Sequence, residues 1–226
     1  MCTRFHLDPS SEEVRKLISE AADSPLVEAF SELNGGRVIN PGDIGPSDIA
    51  PVLSAVKSRT SVRTFPMRWG FRIQMPRKRG DGFTTRTVLN ARAESAPEKS
   101  LFSGPWTDRR CIVPASWYYE WKRTADGKRG GSEAYSFRSY SSEILWLCGL
   151  YRIENGLPEF VILTREAVPG PDSVHDRMPL MLPESDTEEW ILSPDDPKDL
   201  LSRSFSDVIF EKIPSFPGSS DAGPSL

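Results

Sequence analysis

The chain has 226 residues, 38% of them hydrophobic and 27% charged, with a formal net charge of −4. That describes a soluble globular protein long enough for a full core, and no apolar run approaches the length of a membrane span. Three cysteines (Cys2, Cys111, Cys148) and two histidines (His6, His175) exclude a disulfide framework, a zinc site and a histidine-rich metal centre, so no metal or cofactor is expected and the setting is a reducing one, cytoplasmic, or nuclear in a eukaryote.

The chain opens Met1-Cys2-Thr3-Arg4-Phe5, and Asp8, Glu12 and Glu13 follow at once, which is not a secretory signal pattern. Cys2 is small enough for an aminopeptidase to remove Met1, leaving a free α-amine (pKa ~7.7–8.0) beside a thiol (pKa ~8.5). Such a 1,2-aminothiol condenses with an aldehyde through its amine and then closes through sulfur to a five-membered thiazolidine. On these five residues alone, a Met-Cys start with no chemical role is the simpler reading.

Ser10 to Glu13 forms a capping-box pattern, and Val14, Leu17, Ile18 and Ala21 recur on one helical face, so a helix is predicted to end near Ala22. Ser24-Pro25 starts another, which Asn34-Gly35-Gly36 stops. After the loop Asn40–Pro46 the periodicity changes to short strands at Val52–Val56, Val62–Phe65 and Arg68–Ile73, followed by an exposed basic loop at Pro76–Gly82. Thr87–Asn90 reads as a strand, Pro97–Phe102 as a short helix, and Cys111–Val113 as a strand stopped by Pro114. In the strand Trp117–Lys122, Tyr118, Glu120 and Lys122 share one face and Trp117, Tyr119 and Trp121 the other. A hairpin turn at Asp126-Gly127 leads to strands at Ala134–Arg138, Ile144–Tyr151 and Glu159–Thr164, the last two joined at Asn155-Gly156. An irregular segment, Val168–Leu182, precedes two short helices (Thr187–Ile191, Lys198–Ser202) and a final strand, Asp207–Ile213. Strands following strands through hairpins give an α+β domain with a mostly antiparallel sheet over residues 1–216, with a disordered tail at 217–226.

Four polar groups stand out. Asn90-Ala91-Arg92 follows a strand end, which fits either a turn asparagine with a surface arginine or a pair that holds a substrate oxygen and a phosphate. Glu120 is bracketed by Trp117, Tyr118, Tyr119 and Trp121; a desolvated carboxyl there titrates near neutrality, whereas one on a wet strand face is ordinary. His175 lies in a proline-stiffened loop beside Asp176 and Arg177, as a proton shuttle or as a satisfied loop histidine. Trp69-Gly70 fits base stacking or core packing. His6, Cys111 and Cys148 read as structural. Between Lys57 and Arg92 ten basic residues face only Asp81, a segregated patch that either binds phosphates or pairs with acids from elsewhere.

Taken in order, the islands MCTRF, RWGF (Arg68–Phe71), LNARAE (Leu89–Glu94), RRCIVPASWYYEWK (Arg109–Lys122), FVILT (Phe160–Thr164) and VHDRMPLML (Val174–Leu182) resemble the SOS response-associated peptidase family, also called abasic-site processing proteins. The resemblance implies a barrel-like sheet flanked by short helices in a monomer that acts on abasic sites in single-stranded DNA. It implies a DNA damage response in which Cys2, freed of Met1, forms a thiazolidine cross-link with the ring-opened sugar. Carried over, Asn90 positions the sugar and the cysteine amine, Glu120 is the acid/base, and His175 works on the sugar oxygen and assists reversal. Arg4, Trp69, Arg92, Thr164 and Arg177 match positions that hold the strand. Two alternatives stand beside it: a thiol peptidase using Cys2 and His175, and a non-catalytic single-strand binding module. Two departures are visible. Thr3 replaces the family's usual glycine, restricting the backbone, and Asn40-Pro41-Gly42 is only loosely similar to the family's DNA-facing loop.

Overall fold

A computed structural model describes residues 2–33, 39, 41–77, 81–123 and 132–213. The chain starts with β1 (Phe5–Leu7), α1 (Glu12–Ala22) and α2 (Leu26–Leu33), then β2 (Gly42–Ile44), β3 (Ile49–Ala55) and β4 (Val62–Trp69). A hairpin of β5 (Phe71–Pro76) and β6 (Phe83–Val88) leads into β7 (Asn90–Arg92). A 3-10 turn at Ala96–Glu98 and α3 (Ser100–Asp108) precede β8 (Arg110–Ala115) and β9 (Trp117–Arg123). The strands β10 (Ser132–Ser139), β11 (Leu145–Glu154) and β12 (Leu157–Glu166) follow, then β13 (Arg177–Pro179) and β14 (Met181–Leu182). The described chain finishes with α4 (Thr187–Leu192), α5 (Lys198–Ser202) and β15 (Val208–Lys212).

Five of these strands close on themselves. β12 pairs in parallel with β4, and antiparallel pairs β4–β3, β3–β8, β8–β11 and β11–β12 complete the ring. Because these strands are covered on both faces, they read as continuous apolar runs rather than alternating ones: every residue of β8 and the first eight of β12 are buried. A second antiparallel sheet, in the order β15-β10-β9-β1-β2, joins the barrel where β8 passes into β9 at Ser116. One apolar cluster runs through both, from Cys2, Phe5 and Leu7 to Trp69, Ile112 and Phe160 and on to Trp190 and Leu200.

The α+β, mostly antiparallel, barrel-like expectation holds, and several boundaries shift for local reasons. The cap of α1 is Ser11, whose side chain accepts from the Val14 N–H, while Ser10 instead donates its backbone N–H to Asp8. Pro114 does not stop β8; it sits inside the strand opposite Trp146, beyond the last residue paired with β3, so its missing donor removes no bond on that side. The expected strand at Arg68–Ile73 breaks at Gly70, which has φ +112°, and a Cβ there would lie 2.3 Å from the Thr87 side chain. Only glycine suits that kink, which turns the chain out of the barrel into the β5–β6 hairpin. The Asn155-Gly156 turn has positive φ at both residues, as a tight hairpin requires. The stops at Asn34-Gly35-Gly36, the turn at Asp126-Gly127, the tail 217–226 and part of the Pro76–Gly82 loop lie outside the described residues.

The basic stretch divides by role. Glu159 of β12 is fully buried between Arg68 (2.9 Å), Arg72 (2.8 Å) and Arg152 (3.1 Å). Burial alone would push its carboxyl up, but the hydrogen bonds from Arg72 and Arg152 and the charge of Arg68 hold it below the ordinary carboxylate range. Arg59 donates to carbonyls at the ends of α3 and α4, and the buried Arg110 does the same through the Trp106 and Trp190 carbonyls. By contrast Arg63, Arg86 and Arg92 are exposed and make no ion pair among the described residues. The Glu159 cluster gives a test of the fold: Glu159→Ala strands the buried Arg68 guanidinium in low dielectric and is expected to lower the unfolding free energy by ~3–5 kcal/mol in urea titration. A loss under ~1 kcal/mol contradicts this account of the barrel wall.

Candidate active site

The site lies where β1 and β9 of the second sheet meet β7 at the barrel edge. Phe5 and Leu7 are fully buried, and Phe5 packs against Trp69 with ring centroids 5.2 Å apart. His6 stacks on Trp117 at 3.9 Å and binds Asp43 at 2.7 Å through Nδ1; the Tyr119 hydroxyl donates to the same carboxylate and accepts from Trp117 Nε1. This network pins β1 between β2 and β9 and fixes where the three residues before Phe5 must lie. His6 is therefore engaged in holding β1 in place.

Cys2 has no exposed surface. Its thiol donates weakly to the Arg4 carbonyl (3.5 Å), and that carbonyl also accepts from the Tyr119 N–H (3.0 Å). Asn90, at the start of β7, donates from Nδ2 to the Cys2 carbonyl at 2.8 Å, while its Oδ1 is buried with no partner among the described residues. Burial pushes the Cys2 thiol well above its ordinary value, and the nearby charge of Glu120 pushes it further. Thr3 needs no left-handed backbone: among the described non-glycine residues only Ser47, Arg59 and Asn155 have positive φ. The departure from glycine at that position thus carries no conformational strain here.

Glu120 is 2% exposed, so it does not sit at a wet position on β9. Burial raises its pKa to about 7. A carboxyl poised there is half ionised near neutrality and suited to both giving and taking a proton. The His175-Asp176-Arg177 loop faces the same cleft as Trp121 and Lys122, the two residues after Glu120, and the charge of Asp176 adds to the rise. His175 is a quarter exposed; its Nδ1 accepts from the Arg177 N–H at 3.0 Å and lies 3.0 Å from the Asp176 carboxylate. A cleft of about 520 Å³ opens here, lined by Arg92, Trp121, Lys122, His175, Asp176 and Arg177. It leads from solvent toward the strand that carries Glu120.

The strand-holding candidates separate in the structure. Arg92 is exposed at the cleft. Arg4 is half-buried, with its guanidinium near Gly45. Arg177 is 7% exposed and already clamped, donating to both Glu94 oxygens (2.6 and 2.9 Å) and to the Thr164 carbonyl (2.7 Å). The same hydrogen bonds hold the Glu94 carboxyl below its usual range. Thr164 is fully buried and supports β7 through the Ala91 carbonyl. Trp69 is also fully buried, stacked on Phe160 and donating to the Leu89 carbonyl, so it presents no ring face to a base and matches the core-packing alternative. Cys111 and Cys148 are buried. The sequence marks Tyr118 only as one of four aromatics around Glu120, and nothing in the spacing says that its hydroxyl ends buried, within reach of the charge of Cys2.

Among the described residues no group of three or more His, Cys, Asp or Glu is arranged to hold a metal, and no helix is long and apolar enough to cross a membrane.

A family model described as SOS response associated peptidase (SRAP) matches residues 1–214. Abasic site processing protein YoqW of Bacillus subtilis is 31% identical over 200 residues, covering 84% of this chain and 80% of that protein. Abasic site processing protein YedK of Escherichia coli is 26% identical over 198 residues, covering 84% and 79%. A crystal structure of a Bacteroides thetaiotaomicron protein matches with a TM-score of 0.66 at 18% identity, covering 94% of this chain and 92% of that one, a likeness of fold alone.

Proposed function

The chain belongs to the SOS response-associated peptidase family, and on that premise we propose that it processes abasic sites in DNA by capturing the sugar aldehyde on Cys2. The carrying observation is the convergence of three segments distant in sequence: Asn90 holds the Cys2 backbone, and the buried Glu120 lies close enough for its charge to reach the Cys2 thiol. Once Met1 is removed, the Cys2 amine attacks C1′ of the ring-opened deoxyribose to give a carbinolamine. Glu120 in its acid form protonates the carbinolamine hydroxyl, which leaves as water, and the resulting iminium carbon accepts the sulfur. The thiol proton passes to the Glu120 carboxylate, closing a thiazolidine with the loss of one water overall.

A buried thiol held well above its ordinary pKa is a poor spontaneous thiolate, so sulfur addition depends on an adjacent base. That base is Glu120, the ionisable side chain whose charge reaches the thiol, which favours aldehyde capture over a Cys2–His175 thiol peptidase. His175, at the cleft, is assigned to proton transfer at the sugar oxygen during ring opening. Arg92 and Lys122 supply charge for the flanking phosphates.

The test is a single-stranded oligonucleotide with one abasic site, incubated with protein whose intact mass confirms the loss of Met1. A heat-stable shifted band that forms without reductant, and is absent with undamaged DNA, is the expected result. No adduct from the verified Met1-free protein sinks the reading. Asn90→Ala removes the bond to the Cys2 carbonyl and is expected to slow adduct formation about tenfold while leaving affinity for undamaged strand within about twofold. A parallel fall in both quantities argues instead that Asn90 holds DNA rather than Cys2.

A further inference from the structure

Tyr118 is a second unusual group at this site. It lies on β9 opposite Phe5 and, two residues before Glu120, shares that residue's face. Its ring stacks flat on Phe137 (4.8 Å, 9°), which stacks in turn on Phe210 (5.1 Å, 19°). The residue is fully buried, and its hydroxyl has no hydrogen-bond partner among the described residues. The neighbouring Tyr119 shows the ordinary arrangement, its hydroxyl bonded to both Trp117 and Asp43. For the apolar stack alone phenylalanine serves better, because an unpaired buried hydroxyl costs free energy that a ring hydrogen does not.

Two unpartnered polar atoms therefore belong to residues around Cys2, an acceptor (Asn90 Oδ1) and a donor (Tyr118 O–H). Burial, and then the charges of Cys2 and Glu120, push the Tyr118 phenol well above its ordinary value, so it stays a donor throughout the working pH range. An amine adding to an aldehyde makes a carbinolamine, whose N–H and oxygen match that acceptor and donor.

Resting on the aldehyde-capture reading, we propose that Tyr118 is a further catalytic residue: its O–H donates a hydrogen bond to the carbinolamine oxygen formed at Cys2, holding it where Glu120 protonates it and water departs. The phenol keeps its own proton throughout; the bond that breaks is C–O, its electrons leave with water, and the proton comes from Glu120.

Tyr118→Phe keeps the stack and removes only the oxygen. Wild type and variant, both verified free of Met1, are compared in single-turnover adduct formation on single-stranded abasic DNA from pH 5.5 to 9. Binding to DNA carrying a tetrahydrofuran abasic analogue, which has no aldehyde, and thermal melting are measured alongside. The variant is expected to form adduct about tenfold more slowly, with unchanged affinity for the analogue and a melting temperature equal to or above wild type. Water expulsion becomes its slow step, so the alkaline limb of its rate profile moves to lower pH. A purely structural role leaves the profile where it is. Wild-type rate and profile in Tyr118→Phe overturn this inference alone, as does a loss of rate matched by losses of stability and analogue affinity. Absence of adduct in wild type overturns the capture reading and this inference with it.

Discussion

Cys2→Ser is expected to abolish the heat-stable adduct, with a loss of at least ~10³-fold in its rate of formation, while leaving an iminium that borohydride traps. The serine keeps the α-amine, so the first condensation survives, but its hydroxyl adds to an iminium carbon weakly and reversibly. Folding is not the cause of the loss, because Cys2 precedes β1 and its thiol makes one long hydrogen bond, to the Arg4 carbonyl. Exchanging a fully buried thiol for a hydroxyl is expected to lower stability by only ~1–2 kcal/mol. Gel analysis with and without reductant, beside a denaturant titration, separates the two effects. A stable reductant-free adduct in Cys2→Ser contradicts ring closure through sulfur.

Glu120→Gln is the second large effect, and it acts in opposite directions on chemistry and on stability. Its burial moves the carboxyl from 4.5 unfolded to about 7 folded. Between those values the folded chain holds a proton that the unfolded chain has released, so the stability of the native state falls as pH rises through that window and stays lower above it. At about 1.4 kcal/mol per unit, the neutral amide is expected to make the protein more stable at pH 8 by up to ~3 kcal/mol, with little difference at pH 4.5. The same substitution removes both the acid that expels water and the base that takes the thiol proton. Adduct formation is expected to slow by ~10²–10⁴-fold and to lose its inflection near pH 7. A variant that is both more stable and nearly inert is the signature of a group retained for chemistry at the expense of the fold. Urea titrations at pH 5 and 8, beside single-turnover rates, decide it; equal rates in wild type and variant remove Glu120 from the mechanism.

Much of this was legible in local sequence, because the signals there are local. The apolar face of α1, the Asn155-Gly156 turn and the strand at Trp117–Lys122 follow from periodicity and turn chemistry. Barrel closure was not, since it depends on the parallel pairing of β12 with β4, whose residues lie far apart in sequence and whose two-sided burial erases alternation. Pro114 reads as a strand stop until it is known that β3 pairing ends before it. For Glu120 the sequence allows two environments and by itself favours the wet strand face; the tertiary structure buries it instead. The arginines between Lys57 and Arg92 look alike in sequence, yet some line a buried carboxylate and others face solvent, a division set by which strand face each occupies. Trp69 and Thr164 belong to motifs that suggest DNA contact, whereas the structure buries both, with Trp69 donating to the Leu89 carbonyl and Thr164 to the Ala91 carbonyl on either side of Asn90.

The most direct measurement is peptide mapping of the adduct. Met1-free protein is reacted with abasic single-stranded DNA without reductant, digested with nuclease and protease, and treated with a thiol alkylator before mass analysis. The N-terminal peptide is predicted to carry the sugar remnant less one water, linked at Cys2, with its sulfur refractory to alkylation because it lies in the ring. An N-terminal peptide recovered without sugar, or one whose Cys2 sulfur alkylates while the sugar is attached, contradicts capture by thiazolidine.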